Sequence, residues 1–130
     1  YGSTPAGNLA KHYAGICYLR LGDLENAAKY LKKYDAVGGS VVAEIIDAQN
    51  IGLQGDVAVE QGNYEEAAAL FAKAVKVSDN GYTAPYYLSK QAAALEAAGE
   101  TAKAQECYKA ITEKYPNSAE AREADKLLGL

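Results

Sequence analysis

One phrase recurs three times in this chain, and it restricts the fold more than any other feature. Gly22-Asp23-Leu24-Glu25-Asn26-Ala27-Ala28, Gly62-Asn63-Tyr64-Glu65-Glu66-Ala67-Ala68 and Gly99-Glu100-Thr101-Ala102-Lys103-Ala104-Gln105 each place an alanine five residues after a glycine. Four residues beyond the alanine stands a bulky apolar side chain: Leu31, Phe71 or Tyr108. The glycines lie 40 and then 37 residues apart. A recurrence of this length marks a repeat array, in which each unit buries its apolar face only against its neighbours.

Within each unit the pattern reads helix, tight turn, helix. Thr4-Pro5 opens the first helix, Thr as cap and Pro in the first turn, and the helix runs to about Leu21 before Gly22 terminates it in a left-handed conformation. Asp23 caps the next helix, and Asn63 with Glu66 predicts a capping box in the second unit. Residues 35–40 form a loop longer than a tight repeat needs, Ser40 caps a helix over 41–61, and 78–81 is the second break. A helix over 83–98, a third break at Pro116-Asn117-Ser118 and a terminal helix over 118–128 complete the chain. The expected organisation is one all-α domain over 1–130, with repeats at about 5–35, 41–77 and 84–115 and a capping helix at about 118–128, seven helices in total. No segment alternates with period two long enough to make a strand.

Gly15, Gly55 and Ala92 each fall in mid-helix, seven residues before the turn glycine of their unit. A mid-helix glycine costs about 1 kcal/mol against alanine, so close backbone contact should offset it. Ala27, Ala67 and Ala104 supply that contact from the second helix, with Leu31, Phe71 and Tyr108 filling the space beside them.

These residues resemble the tetratricopeptide repeat. Gly15, Tyr18, Gly22, Ala27 and Leu31 match its small, large, glycine, alanine, large order; so do Gly55, Ala58, Gly62, Ala67, Phe71 and Ala74, then Ala92, Leu95, Gly99, Ala104 and Tyr108, closed by Pro116. Lys11 and Tyr34 depart from the pattern, and the first two units lack the closing proline. The resemblance implies an α-α superhelix whose first helices line a concave wall that binds another protein or a peptide. Onto that wall it places Leu9, His12, Tyr13, Ile16 and Arg20, then Gln49, Leu53, Asp56 and Glu60, then Tyr86, Ser89, Lys90, Ala93 and Glu96. Tyr13 and Leu53 stand where the family's clamp for C-terminal carboxylates needs asparagines, so no such clamp is expected. The chain is also similar to bacterial cell-envelope repeat proteins with one membrane helix, some ancillary to the Sec translocon, through residues 6–10, 13–19 and 113–118. That likeness implies a periplasmic domain anchored upstream; without an anchor the expectation is cytoplasmic.

Composition narrows the function from the other side. A net charge of −4 with both signs interspersed offers no basic stripe for phosphates, which excludes nucleic acid as an expected partner. No uncharged run exceeds ten residues, against the ~20 that span a bilayer, so this stretch itself makes no membrane contact. The chain holds no methionine and opens on Tyr1-Gly2-Ser3, which leads us to expect a fragment of a longer protein. His12 is the only histidine, read as a solvated or groove-lining side chain, and two cysteines 90 residues apart are read as small core residues. With them no metal or catalytic set assembles. Gly38-Gly39-Ser40 lacks the preceding strand and following lysine of a phosphate loop, and Glu65-Glu66 lacks calcium-ligand spacing. No catalytic group, cofactor or metal is therefore expected.

Two further features bear on partners. Leu9, Ala10, Tyr13, Ala14, Ile16, Cys17, Tyr18, Leu19 and Leu21 leave the first helix almost no polar face. Such a helix is normally covered on both sides, so an upstream repeat or a second copy is expected there, the latter making a homodimer. Among eleven tyrosines, Tyr18, Tyr30, Tyr64 and Tyr108 hold packing positions, and Tyr82, Tyr86 and Tyr87 are the candidates for contact. The leading expectation is a non-catalytic interaction module. The alternatives are an architectural oligomerisation spacer with an empty groove, and the regulatory arm of an enzyme.

Overall fold

The turn glycines end their helices with one repeated hydrogen-bond pattern. Gly22, Gly62 and Gly99 adopt φ of 78°, 78° and 82°, the left-handed region that a side chain at Cβ disfavours. In each turn the glycine N–H donates to the carbonyl three residues back, Leu19, Val59 or Glu96, at 2.9–3.0 Å. The next N–H, of Asp23, Asn63 or Glu100, reaches five back to Tyr18, Ala58 or Leu95 at 2.8–2.9 Å. This is the Schellman termination, and its identity in three places gives the units one turn geometry.

The computed structural model describes residues 4–129. Its helices are α1 (Pro5–Arg20), α2 (Leu24–Lys33), α3 (Val41–Glu60), α4 (Tyr64–Val77), α5 (Ala84–Ala97), α6 (Thr101–Lys114) and α7 (Ala119–Leu128), with no strand among the described residues. The pairs α1/α2, α3/α4 and α5/α6 form hairpins that stack in chain order, α2 on α3 and α4 on α5, and α7 lies on α6 and α5. The expected all-α superhelix of three hairpins plus a terminal helix is what the chain builds.

Side-chain caps form where Thr4 accepts from Gly7 N–H, Asp23 from Asn26, Ser40 from Ala43 and Ser118 from Ala121, at 3.0–3.2 Å. The capping box expected at Asn63 does not form. The Asn63 N–H that Glu66 would have to receive is already bonded to Ala58, so the turn itself satisfies the donor.

The seam of small residues lies where the pattern places it. Ala27, Ala67, Ala92 and Ala104 are wholly buried, and Gly15 and Gly55 are buried beside Leu31 and Phe71. A Cβ on Gly15 would stand 2.5 Å from Leu31 Cγ, and one on Gly55 would stand 2.6 Å from Phe71 Cε1. Hydrogen in place of methyl is what lets the two helices of a hairpin approach this closely.

A third glycine performs the same task between units. A Cβ on Gly52 would meet Tyr87 Cε1 at 2.5 Å, and Tyr87, one of the expected contact tyrosines, is instead buried in this joint. Gly52→Ala is expected to cost about 1–3 kcal/mol by overpacking, read as a lower urea midpoint. An unchanged midpoint would show that the Tyr87 ring gives way freely.

Polar side chains bind the long loop between the first two units. Asn8 and Asp35 exchange two bonds, Asn8 Nδ2–H to the Asp35 carbonyl at 2.8 Å and Asp35 N–H to Asn8 Oδ1 at 2.7 Å. From α3, the buried Asp47 carboxylate accepts from the N–H groups of Val37 and Gly38 at 2.8–3.0 Å and from the Tyr34 hydroxyl at 2.6 Å. Gly38 and Gly39, with φ of 63° and 79°, turn the loop onto that carboxylate. Tyr34, a departure from the small residue the pattern asks for, has a structural reason in the Asp47 bond.

The second break is tied similarly. Tyr115, at the end of α6, donates to Asp79 at 2.6 Å, and that bond together with burial pushes its phenol up to about 12. Of the two cysteines, Cys107 is buried as expected, and burial raises its thiol. Cys17 is exposed, contrary to the core role read from the sequence, because it stands on the side of α1 that nothing covers among the described residues.

Candidate functional site

A hollow of about 780 Å³ opens across the turn ends of all three hairpins. Leu19, Arg20 and Leu24 line it from the first unit, Asp56, Val59, Glu60, Tyr64 and Phe71 from the second, and Lys90, Ala93, Ala94 and Ala97 from the third. Phe71, only 1% exposed, lies in its floor while packing on Gly55, so one ring serves both the seam and the groove.

The electrostatics centre on Lys90. Its ammonium lies 2.6 Å from Asp56, donates to Tyr86 Oη at 3.3 Å, and sits 5.4 Å and 5.2 Å from the ring centres of Phe71 and Tyr86. Burial is the largest single influence and pulls the ammonium down, but Asp56 and Tyr86 together outweigh it and leave Lys90 raised. Lys90 thus stays charged and braces α5 against α3, neutralised within the groove. Arg20 and Glu60, both exposed, make no ion pair among the described residues.

Five of the fourteen expected wall residues, Arg20, Asp56, Glu60, Lys90 and Ala93, line this hollow. Tyr13 and Tyr86 are exposed at 55% and 49%, stacked edge-on against His12 and Tyr87. Leu9, Ile16, Leu53 and Ser89 are half-buried, with Leu53 packed against the first-unit core. Glu96 is exposed but accepts the Tyr108 hydroxyl at 2.8 Å, and burial first, then this bond, pushes that phenol up to about 12.

His12 differs most from its expected place. It is 1% exposed, closed between α1 and α3, with Nε2 3.1 Å from Gln49 Oε1 and Nδ1 3.0 Å from Asn50 Nδ2. Asn50 in turn accepts from Gln54 at 2.8 Å. The neutral Nε2–H tautomer satisfies both contacts, donating to Gln49 and accepting from Asn50. His12 and Gln49 are therefore joined to each other as a polar joint, and the histidine has no surface to offer a ligand.

The hollow also contains residues that reading the first helices alone misses. Leu24 and Tyr64 open the second helices, and the Gly22 turn forms part of the rim. Among the exposed tyrosines Tyr82 stands 92% free, at the start of the third unit. Among the described residues no group of three or more His, Cys, Asp or Glu is placed to hold a metal ion, and no helix is long and apolar enough to cross a membrane.

A family model described as tetratricopeptide repeat matches residues 53–119, and a second of the same description matches residues 10–35. Over 70 residues the chain is 39% identical to the TPR repeat-containing thioredoxin TTL4 of Arabidopsis thaliana. That stretch is 53% of this chain and spans only 10% of the length of that relative.

Proposed function

Because the chain belongs to the tetratricopeptide repeat family, we propose that it is an interaction module that seats a peptide or a segment of a partner protein in the hollow over Phe71. Proteins of this family are in general non-catalytic scaffolds. The thioredoxin in the relative's name supplies nothing to this reading, since Cys17 and Cys107 are both free, one exposed and the other buried.

The single observation carrying the proposal is the make-up of that hollow. Its floor and walls are mainly apolar, and its two unpaired charges, Arg20 and Glu60, come from different units. A segment with a bulky apolar side chain over Phe71, a carboxylate toward Arg20 and a cation toward Glu60 would satisfy all three features. The Asp56–Lys90 pair is already satisfied, so it shapes the groove and adds little affinity. The finer reading, that the partner belongs to envelope assembly or secretion outside a bacterial membrane, rests on the sequence likeness of residues 6–10, 13–19 and 113–118. Fractionation of cells that carry the protein tests that location.

The groove itself is tested by a photo-crosslinking amino acid at Ala97, with the same group at Glu113 on α6 as control. A crosslink from position 97 alone, reduced at least tenfold by adding Ala93→Arg, is the expected result. Equal crosslinking from 113, or indifference to Ala93→Arg, would refute the groove.

A further inference from the structure

The repeat register makes each unit a measure of the others. With Gly15, Gly55 and Ala92 aligned, Cys17 corresponds to Val57 and Ala94, and Ala10 corresponds to Asn50 and Tyr87. In α3 and α5 those four positions are 2%, 3%, 2% and 8% exposed. The preceding hairpin covers them: Val57 packs with Ala27 and Leu31 of α2, Ala94 shares a core with Ala67, Ala68 and Phe71 of α4, Asn50 meets His12 of α1, and Tyr87 lies against Gly52 of α3. In α1 the same positions are Ala10 and Cys17, both apolar and both exposed. Leu21, one turn on from Cys17, is 78% exposed.

The second helices extend the comparison. Between α4 and α6 a groove joins Glu65, Ala68, Ala69 and Ala72 of the covering helix to Leu95, Glu106, Cys107 and Ala110 of the covered unit. In register, the first unit presents Tyr18, Lys29, Tyr30 and Lys33 in place of those last four. Tyr18 and Tyr30 are stacked at 5.3 Å with 17° between their planes, and Lys29 and Lys33 lie 5.8 Å and 5.1 Å from the Tyr30 ring centre. Where the third unit has a carboxylate and a methyl, the first has two cations on an aromatic platform. Residues 1–40 carry five Lys or Arg against three Asp or Glu, a net +2, while the whole chain is −4.

We propose that this open side of α1 and α2 docks an acidic amphipathic helix of another polypeptide, laid down as α2 lies on α3 and α4 lies on α5. The stacking of the later units supplies the shape of the occupant, a helix with a seam of small residues. The lysines supply its charge, more acidic than α4. This surface faces away from the next unit and does not depend on the hollow over Phe71.

The probe is a fluorescein-labelled, end-capped peptide of residues 62–77 carrying Lys73→Glu and Lys76→Glu, titrated against the whole 130-residue chain by anisotropy. Its counterpart keeps those lysines and carries Glu65→Lys and Glu66→Lys. Saturable binding of the acidic peptide is expected, at least tenfold tighter than the basic one and weakened by salt. Cys17→Arg and the pair Lys29→Glu with Lys33→Glu should each weaken it at least tenfold with the helical circular dichroism unchanged, while Glu60→Ala leaves it unaltered. No saturation, equal binding of the two peptides, or indifference to Cys17→Arg would overturn the proposal. So would a homodimer in light scattering that Cys17→Arg dissolves, because a second copy would then be the occupant.

Discussion

Truncating Phe71 to alanine is expected to destabilise the domain by about 3–5 kcal/mol, the largest effect of any single change considered. The ring is 1% exposed, belongs to the main core that runs through the second and third units to α7, and fills the space that Gly55 leaves open. Its loss removes the transfer energy of a phenyl group and leaves a cavity between α3 and α4, which the glycine, having no side chain, cannot fill. A domain of this size has roughly 5–15 kcal/mol in total, so the variant should be partly unfolded under mild denaturant. Because Phe71 is also in the groove floor, partner capture should fall with it. Equilibrium urea unfolding checks the first effect, and a loss below about 1 kcal/mol would mean the ring is not the knob described here.

The second large effect concerns Asp47, which the repeat pattern does not single out at all. Asp47→Ala leaves the Val37 and Gly38 N–H groups and the Tyr34 hydroxyl without their acceptor, at an expected cost of about 2–3 kcal/mol. Faster amide exchange at Val37 and Gly38 should accompany it. The same site predicts an acid dependence. Burial is the strongest single influence and raises Asp47, but the bonds from Tyr34, Val37 and Gly38 together outweigh it, so the carboxyl is lowered overall. A group lowered in the folded state binds fewer protons there than when unfolded. Its contribution is therefore complete above the ordinary aspartate range, roughly pH 4–5, and disappears as pH falls through the lower folded value. The wild type should lose stability below pH 4 more steeply than Asp47→Ala. Parallel acid profiles would show that the loop is not held by this charge. Tyr34 stays a donor throughout, its phenol pushed up to about 12 by burial and by Asp47.

The periodic part of the fold was legible because a repeat sets one residue type to one task three times. Gly22, Gly62 and Gly99 each end a helix by the same two bonds, and Gly15 and Gly55 each admit a neighbouring side chain. What the sequence hides is polar and unique. Asp47, Asn8 and His12 find partners 9 to 38 residues away in single, unrepeated contacts, and no spacing rule announces them. His12, drawn from the same face as Tyr13, turns inward because Asn50 and Gln49 of α3 offer it one donor and one acceptor.

Two misplacements have simpler causes. Cys17 holds a position that is buried in the later units, and only the lack of a preceding hairpin among the described residues exposes it. Leu24 and Tyr64 escape a reading confined to first helices, although both follow directly on the turns that rim the hollow. A signal for Gly52 was present and unused: a second mid-helix glycine three residues before Gly55 incurs the same helix penalty and calls for the same kind of offset.

The central claim is that close approach at the glycine seam, filled by one large side chain per hairpin, sets the shape of the array and its groove. A double-mutant cycle in urea between Gly55→Ala and Phe71→Leu tests it most directly. The new Cβ meets Phe71 through ring atoms Cε1, Cδ1 and Cζ, at 2.6–2.9 Å, and leucine lacks the outer ones. The double variant should therefore be more stable than the sum of the single losses predicts, by about 1 kcal/mol or more. Additive losses would mean that the glycine and the ring do not interlock, and the account would fail.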